Sequence, residues 1–153
     1  MRTTLLLAAA AVLCACGESR PVAGASSSSV CPAGIQATFS SIDQSLFKVT
    51  CTACHNGAEA TFSGGLDFSG DALTALVNVT AQNSQAQAGA RPADLLRVKP
   101  GDPDNSLLYQ KLLIGATPSP QYGFGMPLGD PGSVCQQARD AIRQWILAGA
   151  PRD

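Results

Sequence analysis

The stretch CTACH at residues 51–55 places Cys51 and Cys54 two residues apart, with His55 directly after the second cysteine. Two thiols at this spacing followed by an imidazole are the attachment pattern of a c-type haem. Each thiol would form a thioether to a haem vinyl group, and this tether would present His55 to the iron as an axial ligand. The motif therefore predicts a chain organised around one covalently attached haem.

The two cysteines of this motif have other interpretations. A thioredoxin-like redox dithiol is expected near a βαβ pattern, which this sequence does not show. A zinc site would need more ligands than one pair of cysteines and a single histidine supply. Both alternatives stay open, although both fit the motif less well than haem does.

Composition restricts the second axial ligand. His55 is the only histidine, and Met126 is the only methionine besides Met1, so a His/Met pair can be built in one way. A thioether ligand raises the reduction potential of haem iron. A lone methionine is ordinarily core filler. Met126, however, lies in TPSPQYGFGMPLGDP at residues 117–131, whose prolines and glycines exclude regular structure. The sequence predicts that this segment is a strap carrying Met126 across the distal haem face.

The N-terminus has the pattern of an export signal. Arg2 precedes the apolar run LLLAAAAVL at residues 5–13, which is of signal-peptide length and too short to span a bilayer. LCAC at residues 13–16 resembles the cleavage box of a bacterial lipoprotein, which implies that Cys16 is the lipidated first residue of the mature chain. An ordinary secretory signal cut after Ala15 is the alternative. Both routes export the chain from the cytoplasm. Haem is attached to c-type cytochromes outside the cytoplasm, so the two signals agree.

These boundaries divide the chain into three parts. Residues 1–15 are interpreted as a lipoprotein signal peptide. Residues 16–30, rich in Ser, Gly and Ala, are interpreted as a flexible, lipid-anchored tether. Residues 31–153 are long enough for one domain with a single core.

Charge excludes some classes of partner. The chain has ten basic and eleven acidic residues, and removal of Arg2 with the signal leaves a net charge of −2. It has no basic block and no basic-aromatic pattern, so neither nucleic acid nor an anionic membrane surface is expected as an electrostatic partner. Membrane contact is expected only through lipid on Cys16.

Two of the six cysteines remain after these assignments. Cys14 leaves with the signal, Cys16 takes lipid, and the haem motif uses two more. In an oxidising compartment, the remaining Cys31 and Cys135 most simply form a disulfide that joins the first helical region to the last.

Apolar periodicity predicts a mainly α domain. The first helix is expected to bury Ile35, Phe39, Ile42, Leu46 and Val49. The last, at 134–148, is expected to bury Ala138, Ala141, Ile142, Trp145 and Ile146, with Trp145 near Phe39. Ser133 and Gln136 match a capping box, and Gly149 provides the stop.

Shorter elements are predicted between these two helices. One helix would begin at Ser69 or Asp71, and another would occupy about 106–114 after a cap at Asp104 or Asn105. Residues 80–90 are predicted to be a surface loop. Two basic side chains near the second helix, Arg97 and Lys99, are expected to be either solvated or paired with haem propionates.

Together these features resemble a class I cytochrome c domain of the type found in single-haem bacterial lipoproteins. The resemblance covers about residues 31–153 and rests on five segments: CTACH at 51–55, RVKPGDP at 97–103, SLLY at 106–109, GMP at 125–127 and IRQWILAGA at 142–150. It implies a cytochrome c-like small orthogonal helical domain wrapped around one covalently attached haem. One feature departs from compact members of the family: 71 positions separate His55 from Met126.

The resemblance implies an electron carrier and not an enzyme. The iron would cycle between Fe(II) and Fe(III), and redox proteins facing the periplasm or the cell surface would dock transiently through a small interface. Two other functions stay open. One is a haem protein with an open sixth position that binds small ligands or reacts with peroxide. The other is a thiol-disulfide or metal-binding lipoprotein that uses Cys51 and Cys54.

Overall fold

The computed structural model describes residues 29–57, 63–82 and 85–153. The predicted signal peptide (1–15), the lipidation site Cys16 and nearly all of the predicted tether (16–30) lie outside these ranges. Within them, no helix combines the length and the apolar character needed to cross a membrane.

The described part of the chain is mainly helical. Its α-helices are α1 (Phe39–Ile42), α2 (Ala72–Leu76), α3 (Leu107–Leu113) and α4 (Gln136–Leu147). A π-helical turn at Asp43–Phe47 continues α1, and 3₁₀ turns occupy Cys51–Ala53 and Pro103–Asn105. Extended backbone within the described ranges forms only isolated bridges. The mainly α class expected from the sequence is therefore correct.

The π-helical turn changes which side chains of the first helix face the core. Ile42 and Leu46 are buried as predicted, but Val49 is 72% exposed, and Phe47 is buried with 1% exposure. A π-helical turn holds more residues than an α-helical turn, so the apolar spacing shifts after Asp43. Phe47 takes the inward position, and the prediction for Val49 was wrong. The helix also begins at Phe39, later than its apolar pattern suggested.

Helix α4 supplies the centre of the core. All five residues of its predicted apolar face are buried: Ala138, Ala141, Ile142, Trp145 and Ile146. The Trp145 ring lies 5.9 Å from the Phe39 ring, and its Nε1 donates a hydrogen bond of 2.9 Å to the Pro151 carbonyl. Gly149 follows α4 and has a φ of +96°, a backbone conformation that glycine adopts far more readily than residues with a Cβ. It therefore provides the predicted end of the helix.

The predicted capping box of α4 was wrong. Cys135 occupies the N-cap position, and no side chain caps the helix. The reason is that Val30 pairs with this segment: the Val30 amide donates to the Ser133 carbonyl at 2.8 Å, and the Cys135 amide donates to the Val30 carbonyl at 3.1 Å. This pairing keeps Ser133 outside the first helical turn.

Cys31 and Cys135 form a disulfide beside this pairing, with sulfurs 2.16 Å apart. The bond joins the start of the described chain to the start of α4 across 104 residues of sequence. In the chain-entropy model, closing a loop of that length contributes about 4 to 5 kcal/mol.

The caps of the two shorter helices were predicted with different success. Asp71 caps α2 by accepting hydrogen bonds from the amides of Leu73 and Thr74, and it is one of the two caps expected for this helix. The N-cap of α3 is Ser106, which makes no side-chain capping hydrogen bond, so the predicted cap at Asp104 or Asn105 was wrong. Both of those residues belong to the 3₁₀ turn that Pro103 opens, and Asp102 caps that turn by accepting from the Asn105 amide at 3.2 Å.

The C-terminal residues hold the first two helices together. Asp153 accepts hydrogen bonds from the amide and hydroxyl of Ser40. Arg152 forms an ion pair of 2.6 Å with Asp71 at the start of α2. Hydrogen bonds from the Thr74 hydroxyl, which has the larger effect, and from Arg152 lower the pKa of Asp71 from 3.8 to about 2.

We expect Asp71→Asn to lower stability in a pH-dependent way. Asparagine keeps the cap but loses the carboxylate charge. Because the folded-state pKa lies below the ordinary value of 3.8, the carboxylate stabilises the fold fully above about pH 4 and loses this effect as the pH falls to about 2. Thermal unfolding of both proteins from pH 7 to pH 2 should show melting temperatures that converge in acid. A constant difference across this range would contradict the prediction.

Candidate functional site

One cavity is lined by all four predicted haem-binding residues: Cys51, Cys54, His55 and Met126. Its volume is about 520 Å³. Cofactor sites usually measure about 300 to 1,000 Å³ and are mostly apolar. The apolar lining includes Leu66, Phe68, Leu76, Leu107, Leu108 and Leu112. Residues 71 positions apart in the sequence therefore meet at a site of suitable size.

The backbone of the motif places its three ligands on one side of the chain. Residues Cys51–Ala53 form a 3₁₀ turn, and the amides of Cys54 and His55 both donate to the Cys51 carbonyl, at 3.2 and 2.8 Å. Residues three and four apart share one face of a helical turn. The Thr52 hydroxyl donates to the Lys48 carbonyl at 2.7 Å, which joins this turn to the helix before it.

Phe68 supports His55 from the side. Its amide donates to the His55 carbonyl at 2.8 Å, and its ring meets the imidazole edge-on at 5.7 Å between centroids. Phe68 also stacks on Phe47, with ring centroids 4.7 Å apart. The Lys48 ammonium donates to the carbonyls of Phe68, Ser69 and Gly70, which fixes this loop. The sequence does not predict this role of Lys48, because no local pattern pairs a lysine with carbonyls twenty residues away.

His55 has the protonation state that an iron ligand needs. Burial lowers its pKa, the Leu66 carbonyl opposes that effect, and the positive charges of Lys111 and Arg97 lower the pKa further. The imidazole is therefore neutral at pH 7, the form that binds metals. Its Nδ1 is buried and has no hydrogen-bond partner among the described residues.

Neither motif cysteine takes part in a disulfide; Cys51 is partly buried and Cys54 is exposed. Burial, which has the larger effect, and the neighbouring Cys54 raise the pKa of Cys51 to about 12. Redox-active cysteines have the opposite shift, since the thiolate is the reactive form. Throughout the described ranges, no three His, Cys, Asp or Glu side chains come together as a metal-ion site. The raised pKa of Cys51 is therefore the reverse of what a reactive dithiol needs.

Met126 enters the cavity from a segment without helix or strand, as its composition predicted. The glycines of this segment permit close approach to protein backbone. A Cβ on Gly125 would lie 2.2 Å from the Ile114 carbonyl oxygen, and one on Gly123 would lie 2.5 Å from Cβ of Gln85. The Met126 amide donates to the Lys111 carbonyl at 2.8 Å, so the strap is attached to α3.

Arg97 lines the same cavity and is 8% exposed. Its guanidinium donates to the carbonyls of Ala75 and Gly64, both at 2.8 Å, and burial lowers its pKa. In the described part of the chain, no carboxylate forms an ion pair with it. The alternative of a solvated Arg97 was therefore wrong. Lys99 is exposed, pairs with Asp102 at 2.8 Å and lies outside this lining.

The segment 80–90 is largely the surface loop that the sequence predicted: among its described residues, only Ala81 is buried. Thr80 pairs with Leu96 through an isolated bridge. Gln82 and Gln85 are exposed and also line the cavity, so this loop borders the opening of the site. This segment accounts for part of the long distance in sequence between His55 and Met126.

Comparisons with known proteins do not identify the chain. No family model, curated protein or solved structure matches it.

The cavity residues themselves fit a covalently attached haem. They supply two thiols for attachment, a neutral imidazole with a buried unpartnered nitrogen, a thioether, and an apolar lining. The guanidinium of Arg97 adds a positive charge that would suit a propionate. This donor set matches the haem ligands His and Met, and among the described residues no acidic side chain, the kind that suits hard metal ions, lines the cavity.

Proposed function

We propose that this chain is a single-haem c-type cytochrome that carries one electron at a time between redox partners outside the cytoplasm. The observation that supports this proposal most strongly is the meeting of Cys51, Cys54, His55 and Met126 at one apolar cavity. A chain with one histidine and one methionine beyond Met1 has no other way to form this ligand pair.

Each cavity residue has a defined part in this proposal. Cys51 and Cys54 would hold the haem through thioethers, and His55 and Met126 would ligate its iron. The bound haem supplies one-electron chemistry between Fe(II) and Fe(III). The leucines and Phe68 exclude water and lower the local polarity, which favours the less charged Fe(II) state and raises the potential. Arg97 would hold a haem propionate through its cationic guanidinium.

The exposed side of the site suits brief electron exchange. Cys54 is exposed, and Leu128, which also lines the cavity, is 64% exposed. Partners would approach this exposed side of the cavity through the small interfaces typical of redox encounters. Export and lipid attachment at Cys16 would keep the protein facing the periplasm or the cell surface.

We expect Met126→Ala to change the spectrum of the ferric protein. The wild type should be low-spin and show the absorption band of a thioether bound to Fe(III), and the variant should lose both features. Its reduction potential should fall by on the order of 100 mV, a fraction of the roughly 0.8 V over which axial ligands tune haem. Absorption spectra and a redox titration measure these changes.

Leu128→Ala is the matched control, because Leu128 lies on the same strap and lines the same cavity without a ligating atom. Its spectrum should equal that of the wild type. If Met126→Ala leaves the spectrum unchanged, the sixth position is not filled by Met126, and the ligand-binding or peroxidatic function becomes the better explanation. A colourless product with reactive thiols would instead favour the thiol-disulfide function.

A further inference from the structure

Lys111 contacts the Met126 strap through both its backbone and its side chain. Its carbonyl accepts a hydrogen bond from the Met126 amide at 2.8 Å. Its ammonium donates to the Phe124 carbonyl at 2.9 Å and to Oε1 of Gln85 at 3.0 Å. One residue of α3 thus holds the strap at positions 124 and 126 and ties it to the segment containing Gln85.

The ammonium of Lys111 lies in an unusual place for a lysine. It lines the cavity, is half-buried, and has no ion pair with any carboxylate in the ranges that the structure describes. Burial lowers its pKa to about 8. Lys99, by contrast, is exposed and paired with Asp102. Because a charged donor gives stronger hydrogen bonds to neutral oxygens, the two side-chain contacts of Lys111 offset its partial burial.

Few other contacts fix the strap next to Met126. Phe124 is 47% exposed and Leu128 is 64% exposed, so neither side chain anchors the strap by burial. Ser119 and Gly123 pair with each other through two backbone hydrogen bonds, which shape the strap internally. Gly125 lies close to the Ile114 carbonyl, but it has no side chain that could anchor the strap. The hydrogen bonds of Lys111 are therefore the main polar attachment of this segment to α3.

We propose that Lys111 is a positioning residue that keeps the Met126 thioether on the iron, so that its contacts with Phe124 and Gln85 determine how readily an outside ligand displaces Met126. The proposal rests on the proposed function, because it requires haem bound through His55 and Met126. It goes beyond that function by assigning control of the sixth position to a residue that does not touch the iron.

The test uses the haem-loaded full chain and imidazole as the displacing ligand. Lys111→Met removes the ammonium, keeps the stem and leaves the backbone carbonyl in place. We expect ferric Lys111→Met to bind imidazole about tenfold more tightly than the wild type, which corresponds to about 1.4 kcal/mol. Gln85→Leu removes one of the two side-chain contacts and should give a smaller increase, about threefold.

Two further variants separate positioning from charge. Lys111→Arg keeps a cationic donor and should restore imidazole affinity close to the wild-type value. Lys99→Met removes a lysine from the surface outside the cavity and should leave the affinity unchanged.

The possible results distinguish this proposal from the proposed function. Wild-type imidazole affinity in Lys111→Met overturns the role of Lys111, even if that variant melts at a lower temperature, while an intact thioether band in the wild type still supports the cytochrome. If Lys111→Met carries no haem, an unchanged affinity in Gln85→Leu overturns the role of Lys111. A wild type without the thioether band overturns Met126 ligation itself.

Discussion

Replacement of both Cys51 and Cys54 by serine is expected to give a colourless protein that has lost cooperative unfolding. Serine forms no thioether, so haem would not be retained. The apolar cavity of about 520 Å³ would then have no occupant. At roughly 24 cal/mol per Å³, a closed empty cavity of that size costs about 12 kcal/mol. This is an upper limit because the cavity opens to solvent, but it is comparable with the roughly 5 to 15 kcal/mol that stabilises a whole domain.

The haem-free chain should therefore be loosely packed, as small domains that fold around a metal are without it. The chain has only eight aromatic residues, and the partly exposed apolar side chains of the lining, Leu66, Leu107 and Leu108, would be left facing solvent. Calorimetry and side-chain signals in NMR spectra measure this effect. A colourless variant with a sharp melting transition would contradict the structural role that we assign to haem.

The matched control changes the other two cysteines of the domain. Cys31→Ser with Cys135→Ser makes the same chemical substitution twice and leaves the cavity lining intact. This variant should keep its haem colour and lose about 2 to 5 kcal/mol of stability, the usual effect of removing a native disulfide. Loss of colour in both double variants to the same extent would indicate a general folding defect and not a specific attachment site.

Trp145→Ala is expected to lower the free energy of unfolding by about 3 to 5 kcal/mol, as for other large aromatic residues removed from a core. Trp145 is fully buried, packs against Phe39, and donates its indole N–H to the Pro151 carbonyl. The substitution would leave a void between α4 and α1 and an unpaired carbonyl in the C-terminal segment. Urea unfolding of the haem-loaded protein measures the loss.

Leu147→Ala is the control for this prediction, because Leu147 lies on the same helix and is 41% exposed. Its effect should stay within about 0.5 kcal/mol, as is usual for surface positions. If Trp145→Ala does not fold, Trp145→Phe keeps most of the apolar bulk, loses the N–H donor, and should cost about 1 to 2 kcal/mol. Equal losses at positions 145 and 147 would contradict the assigned core.

Features set by local spacing could be predicted from the sequence. The apolar face of α4 was confirmed at every position, because an amphipathic helix of twelve residues repeats its pattern often enough to define its buried side. The pairing of Cys31 with Cys135 could be inferred by elimination among six cysteines. The meeting of His55 and Met126 at one cavity could be anticipated because each is the only residue of its kind available for the site.

Features that depend on tertiary contacts were missed. The exposure of Val49 follows from a π-helical turn, which has no recognised sequence pattern. The burial of Arg97 depends on carbonyls of Gly64 and Ala75, which come from distant parts of the chain. The same holds for Lys111, whose three contacts exist only once α3, the strap and Gln85 have packed together. Polar residues that reach into an apolar site are assigned to the surface when only their composition is considered.

Covalent haem attachment is tested most directly by the intact mass and the absorption spectrum of the exported protein, purified from a host that attaches haem to c-type cytochromes. We predict a mass increase of one haem per chain, carried by the peptide that contains Cys51 and Cys54, together with a Soret band. A colourless protein with both thiols unmodified would contradict the account.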